Sequence, residues 1–175
     1  MIKYVILLKG INVGGHKKVP MAELRELLSK AGFSNVQSYI QSGNVFLETE
    51  ETSYLKLEKD ISETIESHFG FEVQVLVKQN KDLQRIFNDC PFPEEKKTAS
   101  YFMMLHKTPK DDLVTLALEK IYEGEEYHII NDCIYYYSAK GFGKSKFNMN
   151  FFERKLQTFA TARNYKTMIK LLSMS

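Results

Sequence analysis

The sequence has no tryptophan, only two cysteines and four prolines in 175 residues, and a net charge of only +2. Each shortage excludes something. Cys90 and Cys133 form neither a CxxC pair nor the even framework of a secreted domain, so a reducing cytoplasm is the expected compartment. No apolar run approaches the ~18 residues of a membrane span. The short apolar stretch at Met1–Lys9 has no small-residue cleavage site and reads as a buried strand. The balanced charge points to no partner for the chain as a whole. His16, His68, His106 and His128 are dispersed, without zinc-ligand spacing. No nucleophile–base pair emerges from spacing, so catalytic residues and cofactor are both unspecified. With 43% hydrophobic and 26% charged residues, disorder and collagen are excluded. A chain of this length buries about 70% of its extended surface, enough for one large domain or two small ones.

Periodicity supplies the elements. Lys3 to Leu8 is a central strand. Pro20 to Ala31 is a helix, with Met21, Leu24, Leu27, Leu28 and Ala31 on one face and Gly32 ending it. Pro20 suits the first helical position. Val36–Ile40 and Val45–Glu48 are strands joined through Gln41-Ser42-Gly43-Asn44. Ser53 to Phe69 is a second helix stopped by Gly70, and Glu72 to Lys78 alternates as a strand. A short helix starts near Lys81, where Asn80 suits the cap. The order β-α-β-β-α-β is the ferredoxin-like plait.

Asp89 to Lys97 has two prolines and a charge run, the marks of a linker. The pattern then restarts. Tyr101–His106 is a strand and Lys110–Tyr122 a helix with Leu113, Leu116, Ala117 and Ile121. Tyr127–Ile130 and Cys133–Tyr137 are strands around Asn131-Asp132. Helices follow near Asn150–Leu156 and Asn164–Met174. The expected fold is α+β, with two ferredoxin-like subdomains at residues 1–90 and 98–175 and a linker at 91–97. The second subdomain lacks a recognisable closing strand and ends in helices. One plait with an appendage is the alternative.

The string Leu7-Leu8-Lys9-Gly10-Ile11-Asn12-Val13-Gly14-Gly15 is the most specific in the chain. With Met21-Ala22-Glu23-Leu24-Arg25, Tyr39-Ile40-Gln41-Ser42-Gly43-Asn44-Val45 and Thr161-Ala162-Arg163-Asn164-Tyr165-Lys166-Thr167, it closely resembles a family of small bacterial proteins catalogued as a domain of unknown function. Tyr165 stands where that family's closing motif has Trp. The resemblance implies two plait-like subdomains and a bacterial, cytoplasmic protein, and it supplies no known activity.

The connection from Gly10 to Val19 is long for a strand-to-helix loop, usually about 2–6 residues. Its three glycines allow close backbone approach to a ligand, successive amides can form an anion nest, and the following helix aims its positive end at the same place. Lys9, His16, Lys17 and Lys18 add cationic groups. Plait topology puts the hairpin tip at the same end. Gly10, Asn12, Gly14, Gly15, His16, Lys17, Ser42 and Asn44 are therefore the expected binding residues for a small anionic or nucleotide-like ligand. The competing reading makes Gly14-Gly15 and Gly43-Asn44 mere turn devices. His16 is the candidate acid or base if catalysis occurs.

Lys140-Gly141-Phe142-Gly143-Lys144-Ser145-Lys146-Phe147 departs from a P-loop, because Ser138 replaces the first glycine, and from an RNA-recognition motif, which its first four residues and Phe147 match, because Lys144 and Ser145 stand where an aromatic and an aliphatic residue belong. From Ser138 to Ser175, Lys140, Lys144, Lys146, Arg154, Lys155, Arg163, Lys166 and Lys170 face one acid, Glu153, for a local +7 against −5 in the first 137 residues. Phosphate-backbone binding through this third is the alternative function, with its aromatics more readily explained as core. An uncharacterised transferase or hydrolase is a further alternative, and edge pairing of the sheet with a second copy another.

Overall fold

A computed structural model describes all 175 residues. The chain forms two compact units: Met1–Leu83 with Leu171–Ser175, and Gln84–Lys170. In the first, β1 (Ile2–Leu8), α1 (Met21–Lys30), β2 (Ser34–Tyr39), β3 (Asn44–Thr49), α2 (Tyr54–Phe69) and β4 (Val75–Lys78) precede α3 (Asn80–Asn88), which crosses the boundary. In the second, α4 (Glu94–Lys97) leads into β5 (Tyr101–Leu105), α5 (Asp111–Leu118), β6 (Glu125–Ile130), β7 (Cys133–Ser138), α6 (Met149–Leu156), β8 (Ala160–Asn164) and α7 (Tyr165–Met174).

The sheets are antiparallel and have the same order, β2-β3-β1-β4 and β6-β7-β5-β8. Both are ferredoxin-like. The closing strand that the sequence pattern hides is β8, paired with β5 from Tyr101↔Asn164 to Leu105↔Ala160. The hydrogen bonds at one junction also repeat. Leu8 N–H donates to the Gly43 carbonyl at 2.8 Å and Leu105 N–H to that of Asp132 at 2.8 Å. Lys9 N–H reaches the Gln74 carbonyl at 3.0 Å, and His106 N–H that of Phe159 at 2.9 Å.

Alternation places Tyr4, Ile6 and Leu8 of β1 against Leu24 and Leu28 of α1 and Leu57, Ile61 and Ile65 of α2. Val5, Leu7, Phe46 and Leu76, on the other face, are buried too. That explains why β1 reads as an unbroken apolar run. In the second unit Met103, Leu105, Ile134, Tyr136, Phe152 and Leu156 form the core, with Phe147 stacked on Phe152 at 4.6 Å.

Several boundaries differ from the periodicity. Pro20 precedes α1 in extended conformation, with ψ 123. The strand expected from Glu72 begins only at Val75. α5 ends at Leu118, and Ile121, expected on its apolar face, is 85% exposed beyond it. Residues 91–97 are not a loose tether: Phe92 is buried, 5.3 Å from the His128 ring and 6.0 Å from that of Tyr137, and α4 follows it. Asn80 does not cap α3. Its amide donates to Ser175 Oγ at 2.7 Å and the Leu172 carbonyl at 3.3 Å, while Asp82 accepts from Gln79 N–H at 2.8 Å. No helix is long and apolar enough to cross a membrane.

Candidate functional site

The glycine loop and the β2–β3 tip meet. Besides the Leu8–Gly43 bond, the Asn12 Nδ2 group donates to the Gln41 carbonyl at 2.8 Å and the Val19 carbonyl at 3.0 Å. Asn12 Oδ1 accepts from Val19 N–H at 2.8 Å. One carboxamide thus ties both ends of the loop to the hairpin. Gly43 completes the junction. It sits at φ +80, where a Cβ would lie 2.7 Å from Leu8 Cβ and 3.1 Å from Ile11 Cδ1, so only glycine fits.

Within the loop the chain folds back as a miniature hairpin. Asn12 N–H donates to the Lys17 carbonyl and His16 N–H to that of Val13, both at 3.0 Å. Gly14 (φ 58) and Gly15 (φ 76) are its two central residues. Two successive positive φ angles are the requirement of a two-residue hairpin turn, which explains the Gly-Gly pair. So the turn reading of these glycines holds, and part of the backbone expected to await an anion, at Asn12, His16 and Val19, bonds to the protein itself. The Gly14 and Gly15 amides donate to no group of the chain and lie at the surface.

The expected residues therefore divide. Gly14, Gly15, His16 and Lys17 are exposed on or beside the turn, with Gly10 exposed at its base. Asn12 holds the loop. Asn44, 0% exposed, donates from Nδ2 to the Tyr39 carbonyl at 3.1 Å and to Ser42 Oγ at 3.0 Å. Asn44 is thus an internal brace of the tip, and Ser42 is its acceptor at the surface. Lys17 Nζ donates to the Glu72 carbonyl at 2.7 Å, and Lys9, Gly10, Lys17, Glu72 and Gln74 enclose a cleft of about 270 Å³. His16 and Lys18 are exposed, and neither side chain bonds to another group of the chain. No hydroxyl, thiol or carboxylate is hydrogen-bonded to His16, so the geometry offers it no catalytic partner.

Sequence reasoning missed three features. Glu72 and Gln74 line the cleft because β4 starts late. Ile40 adopts φ 50 at the tip while 51% exposed. A β-branched residue in the left-handed region is strained by roughly 1–2 kcal/mol, and nothing in its identity announces that conformation. A larger cleft of about 790 Å³, lined by Leu27, Phe33, Thr49, Glu51, Asp60 and His68 among others, lies at the other end of the first sheet, where Thr49 pairs with Ile2.

Seven of the eight basic residues of the last third are exposed, and one is not. Arg163 is buried, its Nη1 donating to Thr161 Oγ1 and the Ala162 carbonyl at 2.8 Å each, and burial lowers its pKa to about 10. Asn164 caps α7 by accepting from Thr167 N–H at 2.9 Å. Phe142 stacks on Tyr101 at 4.4 Å. Ser145 is bound to the Tyr136 hydroxyl at 2.5 Å, and Lys146 N–H donates to Glu125 at 2.7 Å, so the Gly143-Lys144-Ser145 string shapes a turn. No group of three or more His, Cys, Asp or Glu side chains is placed to hold a metal ion.

The family model described as "Protein of unknown function (DUF1697)" matches residues 1–135, which include the glycine loop and the tip. The chain belongs to the DUF1697 family. A solved structure, described as that of a conserved bacterial protein from Streptococcus pneumoniae, is similar with a TM-score of 0.76 and 26% identity, over 98% of this chain and 97% of that one. No curated protein matches. The Thr161–Thr167 motif lies outside the residues matched by the family model.

Proposed function

We propose that this DUF1697 protein binds a small ligand bearing phosphate or carboxylate at the miniature hairpin of the first plait. The observation that carries the reading is a comparison within the chain. The two plaits close the same junction with the same hydrogen bonds, yet residues 9–20 connect β1 to α1 where 106–110 suffice to connect β5 to α5. The additional chain packs Ile11 and Val19 into the core and leaves residues 13–18 exposed, and surplus exposed loop on a rigid scaffold is where binding residues concentrate. Gly14 and Gly15 supply unengaged N–H donors, and Lys9, His16, Lys17 and Lys18 supply cationic or hydrogen-bonding side chains around them. Asn12, Ser42, Asn44 and Gly43 position the loop. Lys17 (φ 46) and Ile40 (φ 50) hold left-handed backbone at this place, and strained backbone is a common feature of binding sites.

Both cysteines are free, which accords with a reducing cytoplasm, and we place the protein in a bacterial cytoplasm on that basis and the neighbour's origin. The test is isothermal titration with inorganic phosphate, pyrophosphate and a nucleoside monophosphate. Binding that weakens with added salt and is lost in Lys17→Ala/Lys18→Ala is expected. No heat from any of the three at millimolar concentration, or affinity unchanged in that variant, refutes the reading.

A further inference from the structure

A sheet edge is a row of unpaired amides and carbonyls that invites another strand, and proteins blunt it with bulges, short strands or burial. Three of the four edges here are blunted. β2 has a register break between Ser34 and Gln37, with Asn35 at φ 50. β4 has four residues, all buried. β8 is buried over most of its length. β6 is different. It pairs on one side only, in an unbroken register from Glu125↔Ser138 to Ile130↔Cys133, with neither bulge nor proline. Beside it Leu118 and Ile121, 47% and 85% exposed, line a groove of about 320 Å³ with Tyr127 and His128.

We infer that β6 pairs with β6 of a second copy of this chain, antiparallel about a two-fold axis through Tyr127. The sequence of the strand selects both the occupant and the register. With the axis at Tyr127, Glu126 lies opposite the partner's His128, and His128 opposite the partner's Glu126, so an acceptor meets a donor twice. Moving the axis to Glu126 sets two carboxylates against each other, and moving it to His128 sets two imidazoles together. Placing it between Tyr127 and His128 turns the two sets of helices to opposite faces of the joined sheet. Of these registers, only the one at Tyr127 sets a donor against an acceptor and keeps both sets of helices on one face. The exposed Leu118 and Ile121 of both copies then lie on that face beside the seam, where an apolar patch is covered. Glu126 also holds the Lys96 ammonium, and His128 the edge of the Phe92 ring, so both side chains are already oriented on the strand. The result is a continuous eight-stranded sheet, two four-stranded halves joined at β6.

Sedimentation equilibrium of the full chain tests this. The expected result is a monomer–dimer equilibrium. His128→Glu, which opposes carboxylates across the seam, weakens it by about tenfold or more. The double exchange Glu126→His/His128→Glu restores the pairing in the Tyr127 register and recovers most of the affinity. A chain that stays monomeric at about 100 µM overturns the inference. So does a dimer indifferent to His128→Glu, or a double variant as weak as the single one. Should the variants fold poorly, hydrogen exchange of the unaltered chain decides. β6 amides gain protection as concentration rises from about 1 to 100 µM if the edge pairs, and stay unchanged if it does not.

Discussion

Replacing Asn12 by alanine removes three hydrogen bonds from one side chain, at 2.8, 2.8 and 3.0 Å. They are not equivalent. The Gln41 carbonyl is near the surface and is rehydrated, whereas Val19 is 0% exposed and has both its N–H and its carbonyl bound to the lost carboxamide. A typical bond contributes roughly 1 kcal/mol, and a buried group left unsatisfied costs roughly 1–3 kcal/mol. Asn12 is also left-handed, at φ 54, a conformation alanine tolerates less well by about 1 kcal/mol. The two Val19 groups and the backbone together come to about 3–7 kcal/mol. At roughly 2–4 °C per kcal/mol for a chain of this size, Tm of a cooperative transition falls by about 6–28 °C. Asn12→Gly removes the bonds but not the freedom to adopt this φ, so the gap between the two variants reports the backbone part. Urea denaturation measures both, and exchange of the Val19 amide reports the local loss. An alanine variant within about 1 kcal/mol of the parent, with Val19 still protected, would refute the claim that this carboxamide anchors the loop.

Gly43→Ala is expected to be more damaging than its size implies, by about 2–4 kcal/mol in urea denaturation, because the methyl meets Leu8 and Ile11 at a left-handed residue. Gly15→Ala has open space and costs only about 1 kcal/mol, but titration calorimetry should show anion binding weakened, since the turn must change. Ile40→Asn should stabilise the protein by about 0.5–1 kcal/mol in thermal unfolding, since asparagine tolerates φ 50 better; destabilisation would mean that the exposed side chain makes an energetic contact. Glu51 accepts from Lys56, Ser53 N–H and Thr52 N–H, and the Lys56 hydrogen bond first among these holds its pKa below the ordinary 4.5. A lowered carboxylate pKa gives stability that is present above the ordinary value and lost as pH falls through the folded one. The stability difference between the parent and Glu51→Gln should therefore persist at neutral pH and shrink on acidification below 4.5, and a pH-independent difference would contradict the assignment.

The sequence made the first plait almost fully legible. Its helices carry clean apolar stripes, Gly32 and Gly70 mark their ends, and β1 is a continuous apolar run because both its faces are buried. The second plait lost its last strand because β8 presents small or polar residues, Ala160, Thr161 and Ala162, and buries Arg163. Neither alternation nor β-propensity flags such a strand; only the repeated topology could have demanded it. Meeting of the loop and tip was legible from topology, since both lie at the same end of a plait. The roles of Asn12 and Asn44 were not, because an amide reads alike in sequence whether it faces a ligand or ties two turns together. Ile40 and the late start of β4 depend on how the chain leaves its turns, which composition does not encode.

The short connection at residues 106–110 gives this chain a reference inside itself. Cutting the first connection to that length should leave a plait that still closes at Leu8 and Gly43, as its twin does at Leu105 and Asp132. Carrying the longer segment into the second plait should burden an otherwise silent corner with whatever chemistry the segment owns.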